Sequence, residues 1–257
     1  MTSALGARGV AALVAALGCL AASAQSGPQS GTVQALASNG VRAPLEVLVP
    51  RCERTLGRHV TVEYSTSAAI RERLMGGTDI DVVFATTEVI GELAAAGRVA
   101  SNSITPLGRA GIGVGVRKGA RHFDIASSAA MKQSLLAATS VTYAQDGASR
   151  PHIERMFERL GITAEMQAKA QLEQGSVRAA ARVVNGEAEM LLTLVSEILP
   201  VEGMELVGPL PAEFQSYVEF AAARGTQTAE PEAARSLVTC IAAPSATATF
   251  AAKGVTR

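Results

Sequence analysis

Residues 60–87 read VTVEYSTSAAIRERLMGGTDIDVVFATT. Val60 to Tyr64 alternates β-branched and polar residues, as a strand with one covered face does. Ser65-Thr66-Ser67 places hydroxyls where a helix begins, and Ala68 to Met75 continues as a helix that Gly76-Gly77 ends. Asp81 to Ala85 is a short apolar run, the mark of a strand covered on both faces. Thr86-Thr87 opens another helix, which runs through Leu93 and stops near Gly97. Two strands joined through a helix of this length are expected to lie parallel.

The same unit recurs on the N-terminal side. Thr32 to Ala37 reads as a strand, Ser38-Asn39-Gly40 as a turn, and Val41 to Leu56 as a helix. Pro44 is tolerated in the first turn, Pro50 is expected to kink or interrupt the helix, and Gly57 stops it. On the C-terminal side, Gly111 to Val116 is a strand with glycine at alternate positions. Helices are expected within Ile125 to Ala138, Pro151 to Leu160, Val177 to Val184 and Pro231 to Ala242, with a short helical piece at Val195 to Leu199. A last helix opens at Pro244 and ends near Lys253-Gly254. Strands are expected at Ser140 to Ala144 and Glu189 to Leu194, and an extended segment at Phe214 to Ala222. The class is α/β. The polar turns stand at the carboxyl ends of strands, where open α/β sheets bind ligands.

Acidic and basic residues balance at 23 each, so no basic surface for nucleic acid is indicated. Aromatic residues are only 4% and tryptophan is absent, which leaves a core of Ala, Val, Leu and Ile and little stacking surface for sugars or bases. Arg8 is the one charge before the apolar run Gly9 to Leu20, and Ala22-Ser23-Ala24 follows. Residues 1–24 therefore read as a cleavable export signal, and the expected location is the periplasm. Cys52 and Cys240 remain after cleavage. An oxidising compartment permits a disulfide between them, and two separate buried thiols fit the sequence equally.

Constellations for chemistry are absent from the sequence. His59, His122 and His152 have no metal-ligand spacing. Ser149 lies in Asp-Gly-Ala-Ser-Arg, which is not a nucleophile elbow. Gly111-Ile112-Gly113-Val114-Gly115 lacks the third glycine of a dinucleotide site. Glu187 and Glu189 read as a solvated edge. No catalytic residue, metal or cofactor is expected, and a binding protein is favoured over an enzyme. An enzyme would need a base or nucleophile in the cleft with an orienting partner, and a titratable pair with strongly shifted pKa there would speak for one.

Several segments together carry a family likeness. They are Ala37-Ser38-Asn39-Gly40, Val62 to Ser67, Arg73 to Gly77, Asp79 to Phe84, Gly175 to Ala180, Asn185 to Glu189, Glu232 to Leu237, Ala243 to Ala246 and Phe250 to Gly254. In these the chain resembles the type II periplasmic binding proteins, in their molybdate-binding-like branch. The resemblance implies two lobes joined by two crossover segments, with a ligand between them and closure by hinge motion. Carried onto this sequence, lobe one is 25–110 plus 218–257, and lobe two is 111–217. The implied ligand-binding positions are Ser38 and Asn39, Thr66 and Ser67, Ala148 and Ser149, Val177 and Thr193. They offer hydroxyls and backbone N–H groups at helix starts, which suit an anion without a neutralising cation. The tyrosine that the family carries after the late lobe-two strand has no counterpart, since Thr193 and Leu194 lie there. Arg150 either points into the cleft, favouring a carboxylate or phosphate-like ligand, or is a solvated charge. The implied partners are a small anion, molybdate-like or organic, and the inner-membrane permease of an ABC importer, with the chain a monomer. A same-fold module serving a sensor, or a receptor for small carboxylates, is the alternative.

Overall fold

A computed structural model describes residues 31–257, so the export-signal reading lies outside the described residues. Strands β1 (Val33–Ser38), β2 (Val60–Ser65) and β3 (Val82–Thr86) are parallel, with β1 in the middle. Helices α1 (Arg42–Leu56), α2 (Ser67–Met75) and α3 (Thr87–Ala95) follow these strands in turn. Each strand-to-helix switch is fixed by a hydroxyl. Thr66 accepts the Ala69 N–H at 3.2 Å, and Thr86 accepts the Val89 N–H at 3.4 Å. Ser38 caps a single 3-10 turn, Asn39–Val41, by accepting the Gly40 N–H.

Strand β4 (Thr105–Arg117) runs through both halves of the molecule. From Thr105 to Gly111 it pairs antiparallel with β9 (Tyr217–Arg224), which in turn pairs antiparallel with β3. From Ile112 onward its partners are β7 (Met190–Leu194) and β8 (Met204–Pro209), both antiparallel. The second half is completed by β5 (Val141–Ala144), parallel to both β7 and β6 (Ala170–Glu173). The sheet is thus mixed, β2-β1-β3-β9-β4-β7-β5-β6 with β8 beside β4. At the change of partner, the Gln215 side chain imitates a strand. Its Oε1 accepts the Ile112 N–H and its Nε2 donates to the Ile112 carbonyl, both at 2.9 Å.

The remaining helices are α4 (Ser128–Ala137), α5 (Arg150–Leu160), α6 (Thr163–Lys169), α7 (Gly175–Val184), α8 (Val195–Ile198), α9 (Pro231–Ala242) and α10 (Thr247–Ala252). Glycine determines where α8 sits. A Cβ at Gly113 would lie 2.9 Å from Val195 Cγ2, and one at Gly115 would lie 3.1 Å from Ile198 Cγ2. The alternate glycines of β4 thus let α8 rest directly on the strand.

Of the two outcomes expected at Pro50, a kink or an interruption, the interruption does not occur, since α1 is continuous through it. Its ring is exposed, while Leu45, Leu48, Val49 and Cys52 form the buried face. The hydrogen bond it deletes therefore lies on the solvent side, where water can take the freed carbonyl.

Cys52 of α1 and Cys240 of α9 form a disulfide, with Cα atoms 5.9 Å apart and a sequence separation of 188. This settles the alternative that the sequence left open. The bond ties the first helix to one that arrives after the chain has returned from the second half. Restricting so long a loop in the unfolded chain stabilises the fold by about 2–4 kcal/mol. Replacing both cysteines by alanine is expected to lower the melting temperature by on the order of 10 °C. Thermal denaturation with and without reductant measures this, and an unchanged melting temperature would contradict it.

Candidate functional site

The carboxyl ends of β1, β2, β5 and β7 meet where the two halves face each other. A small cavity there is lined by Ser38, Thr66, Ser67, Gly147, Ala148, Ser176, Leu194, Glu197 and Phe220. It leaves about 20 Å³ for the centres of water-sized molecules, room for one. Gly40 permits this close meeting, since a Cβ there would lie 2.3 Å from Phe220 and 3.0 Å from Leu194.

Two larger cavities share walls with it. One, of about 550 Å³, adjoins at Ser67, Gly147 and Ala148 and carries Arg71, Glu88, Glu92 and His152. The other, of about 390 Å³, adjoins at Ser176 and Glu197 and carries Asn39, Arg42, Glu46, Val177 and Glu202. The arginines of both are already paired, Arg71 with Glu92 and Arg42 with Glu46.

The hydroxyls at the small cavity have distinct duties. Ser67 Oγ accepts the Thr86 N–H at 3.1 Å, and Ser38 Oγ accepts the Gly40 N–H at 3.4 Å. Each oxygen is used as an acceptor, so each hydroxyl proton is left to donate. Thr66 is committed differently. Its Oγ1 donates to Asp146 Oδ2 at 3.0 Å, across the cleft. Asp146 Oδ1 accepts the Gly175 N–H at 2.8 Å, at the start of α7. One carboxylate thus holds the β2–α2 turn against the N-terminus of a helix in the other half.

The positions expected from sequence therefore divide. Ser38, Thr66, Ser67 and Ala148 line the small cavity, with Thr66 serving as a strut. Asn39 and Val177 lie in the neighbouring 390 Å³ cavity, where Val177 is 55% exposed. Ser149 is buried and absent from all three walls. Thr193 is buried too, and its hydroxyl donates to Glu197. Arg150 turns to Glu154 and to the Gln145 carbonyl, at 2.7 and 2.8 Å, so it is not offered to a ligand in the cleft.

Glu197 was not found from sequence. It sits on α8, four residues after Thr193, and borders both the small cavity and the 390 Å³ one. Its carboxyl accepts hydrogen bonds from Ser176 at 2.8 Å and from Thr193. Part of the side chain opens to the cavities, and protein surrounds the carboxyl. Desolvation raises its pKa above the ordinary carboxylate value, Asp146 adds to the rise, and the bonds from Thr193, Ser176 and the Leu194 backbone oppose it. A pattern such as Thr-Leu-Val-Ser-Glu at a strand end is the only sequence signal, and it does not separate a buried acid from a solvated one.

A two-lobed α/β molecule joined through β4, with a cleft of helix starts, has the type II periplasmic-binding-protein fold. Residues 33–256 match the family described as bacterial extracellular solute-binding protein, and the chain belongs to that family. Aconitate isomerase from a Pseudomonas species is 31% identical over 221 residues, covering 84% of each chain. The periplasmic molybdate-binding protein of Azotobacter vinelandii has the same fold, with a TM-score of 0.76 at 16% identity, covering 88% of this chain and 99% of that one. PEB3 bound to L-phospholactate matches with a TM-score of 0.67 at 12% identity, covering 88% and 99%.

The raised pKa of Glu197 has a consequence for stability. The folded chain holds this proton more tightly than the unfolded chain does. Its contribution is therefore complete below the ordinary glutamate value, about 4.3, and is lost as pH rises through the raised one. Glu197→Gln removes that loss. Relative to wild type, the variant is expected to gain melting temperature on going from about pH 4 to about pH 8. A difference that stays constant across that range would contradict the raised pKa.

Proposed function

We propose that this chain is the periplasmic receptor of an ABC importer and takes a small anion into the cleft. Its lobes are 25–110 with 218–257, and 111–217, hinged where β4 changes partners and where the chain returns into β9. Residues 1–24 are the export signal. The observation that carries the reading is the meeting of four strand ends at one cavity, with the Ser38 and Ser67 protons left to donate. Ala148 N–H and the N-terminal end of α7 add partial positive charge, and an anion at helix starts needs no neutralising cation. The cavity has room for no more than about a water molecule, so a ligand enters with the lobes apart. Thr66 and Asp146 then join across the cleft as it closes.

Removing both donors tests the site. Ser38→Ala with Ser67→Ala is expected to weaken anion binding at least about tenfold, the loss of two hydrogen bonds to a charged group. Calorimetric titration against molybdate, sulfate, phosphate and small carboxylates measures it. Unchanged affinity in the double variant sinks the assignment of these serines.

A second reading, isomerisation of an unsaturated polycarboxylate, is favoured by Glu197 and by the isomerase relative. In such a reaction one carboxylate takes a proton from the saturated carbon beside the double bond. The double bond shifts, and the same carboxyl returns the proton to the far alkene carbon. Incubation with trans-aconitate tests it. Conversion to cis-aconitate that Glu197→Gln reduces at least about 100-fold supports an enzyme, and no conversion by the wild-type chain rejects one.

A further inference from the structure

An anion receptor with a carboxyl in the wall of its ligand cavity poses an electrostatic problem. Glu197 borders the cavity that holds the Ser38 and Ser67 hydroxyls, and its bonded partners are the Ser176 and Thr193 hydroxyls and the Leu194 backbone, all uncharged. No arginine or lysine is bonded to it among the described residues. The charged groups around it do not help. Asp146, from the β5–α5 loop, is a second carboxylate. Arg42 of α1 shares the adjoining cavity but is held by Glu46 at 2.7 Å, and Glu202 stands in the same wall. An ionised Glu197 would repel any anion placed against Ser38 and Ser67.

We propose that Glu197 binds the ligand as a carboxylic acid, donating its O–H to a ligand carboxylate, so that the cleft takes up one proton with each anion and selects organic carboxylates over sulfate. This rests on the receptor reading of the cleft. The balance is simple. Ionised Glu197, a proton from solvent and the free anion combine to a neutral carboxyl hydrogen-bonded to the bound anion, and nothing is oxidised or reduced. The selectivity follows from basicity. A hydrogen bond from a carboxylic acid is strongest to an acceptor of similar proton affinity, and a ligand carboxylate matches it. Sulfate is a far weaker base and gains less from the same donor. Burial disfavours the charged form and so favours the acid once a ligand closes the cavity. Ser176 and Thr193 hold the carboxyl in place, and their hydroxyls leave one of its lone pairs and the acid proton for the cavity side.

The test is calorimetric titration of the wild-type mature chain with acetate, succinate, citrate and sulfate, from about pH 5 to about pH 8. Each titration is run in two buffers of different ionisation heat. The expected result is uptake of one proton per bound carboxylate, with affinity falling up to about tenfold per pH unit above the Glu197 pKa. Glu197→Gln, which keeps a donor but cannot titrate, is expected to bind acetate with one affinity from about pH 6 to about pH 8, where acetate itself does not titrate, and to lose the proton uptake that accompanies acetate binding in the wild type. Carboxylate binding in the wild type with no proton uptake and no pH dependence overturns the inference while leaving the receptor reading intact. Sulfate bound as tightly as the carboxylates, with the same proton uptake, overturns the selectivity. Absence of binding by all four anions at every pH removes the receptor reading, and this inference with it.

Discussion

Strand β4 supports two hydrogen-bond ladders in succession, and the molecule is arranged around that constraint. Up to Gly111 its partner is β9, and from Ile112 its partners are β7 and β8. At the join the Ile112 N–H is shared between the Ser216 carbonyl and Gln215 Oε1, and the Ile112 carbonyl accepts from both Leu210 N–H and Gln215 Nε2, so the change of partner leaves no backbone group of Ile112 unpaired. Because β4 and β9 both cross here, the two halves of the sheet turn their carboxyl ends toward one another. The cleft follows from that geometry. The alternate glycines of β4 then seat α8, and α8 brings Glu197 to the cleft wall.

Within the cleft, charge is handled by dipoles and hydroxyls rather than by side-chain cations. Arg42, Arg71 and Arg150 each already face a glutamate. Asp146 is satisfied by Thr66 from one half and by the α7 N-terminus from the other, so its charge serves closure. Glu197 has uncharged partners alone, two hydroxyls and the Leu194 backbone, and is pushed toward its neutral form.

Much of the fold was legible because local signals and the global pattern agree. Thr66 and Thr86 cap where hydroxyls precede helices, and Gly57 ends α1 in the left-handed conformation at φ 63°. The missed elements are those with weak local signals. β6 has four residues and no buried one, β8 lies beside β4 with a half-covered pattern, and α6 spans seven residues. Pro50 misled because its position on the exposed face of α1 is a tertiary fact. The site was readable where it depends on helix caps, at Ser38, Thr66 and Ser67. It was not readable at Glu197, whose burial depends on glycines about eighty residues away in sequence, nor at Thr193, whose hydroxyl is claimed by Glu197.

The disulfide and the apolar core that runs through both halves give the lobes a stable frame, and the cleft carries the function. The most direct measurement is a crystal structure of the mature chain grown with citrate at mildly acidic pH. The account predicts a carboxylate within hydrogen-bond distance of Ser38 Oγ, Ser67 Oγ, Ala148 N and the Glu197 carboxyl. A ligand bound only in the outer cavities, with the central one holding water, would contradict it.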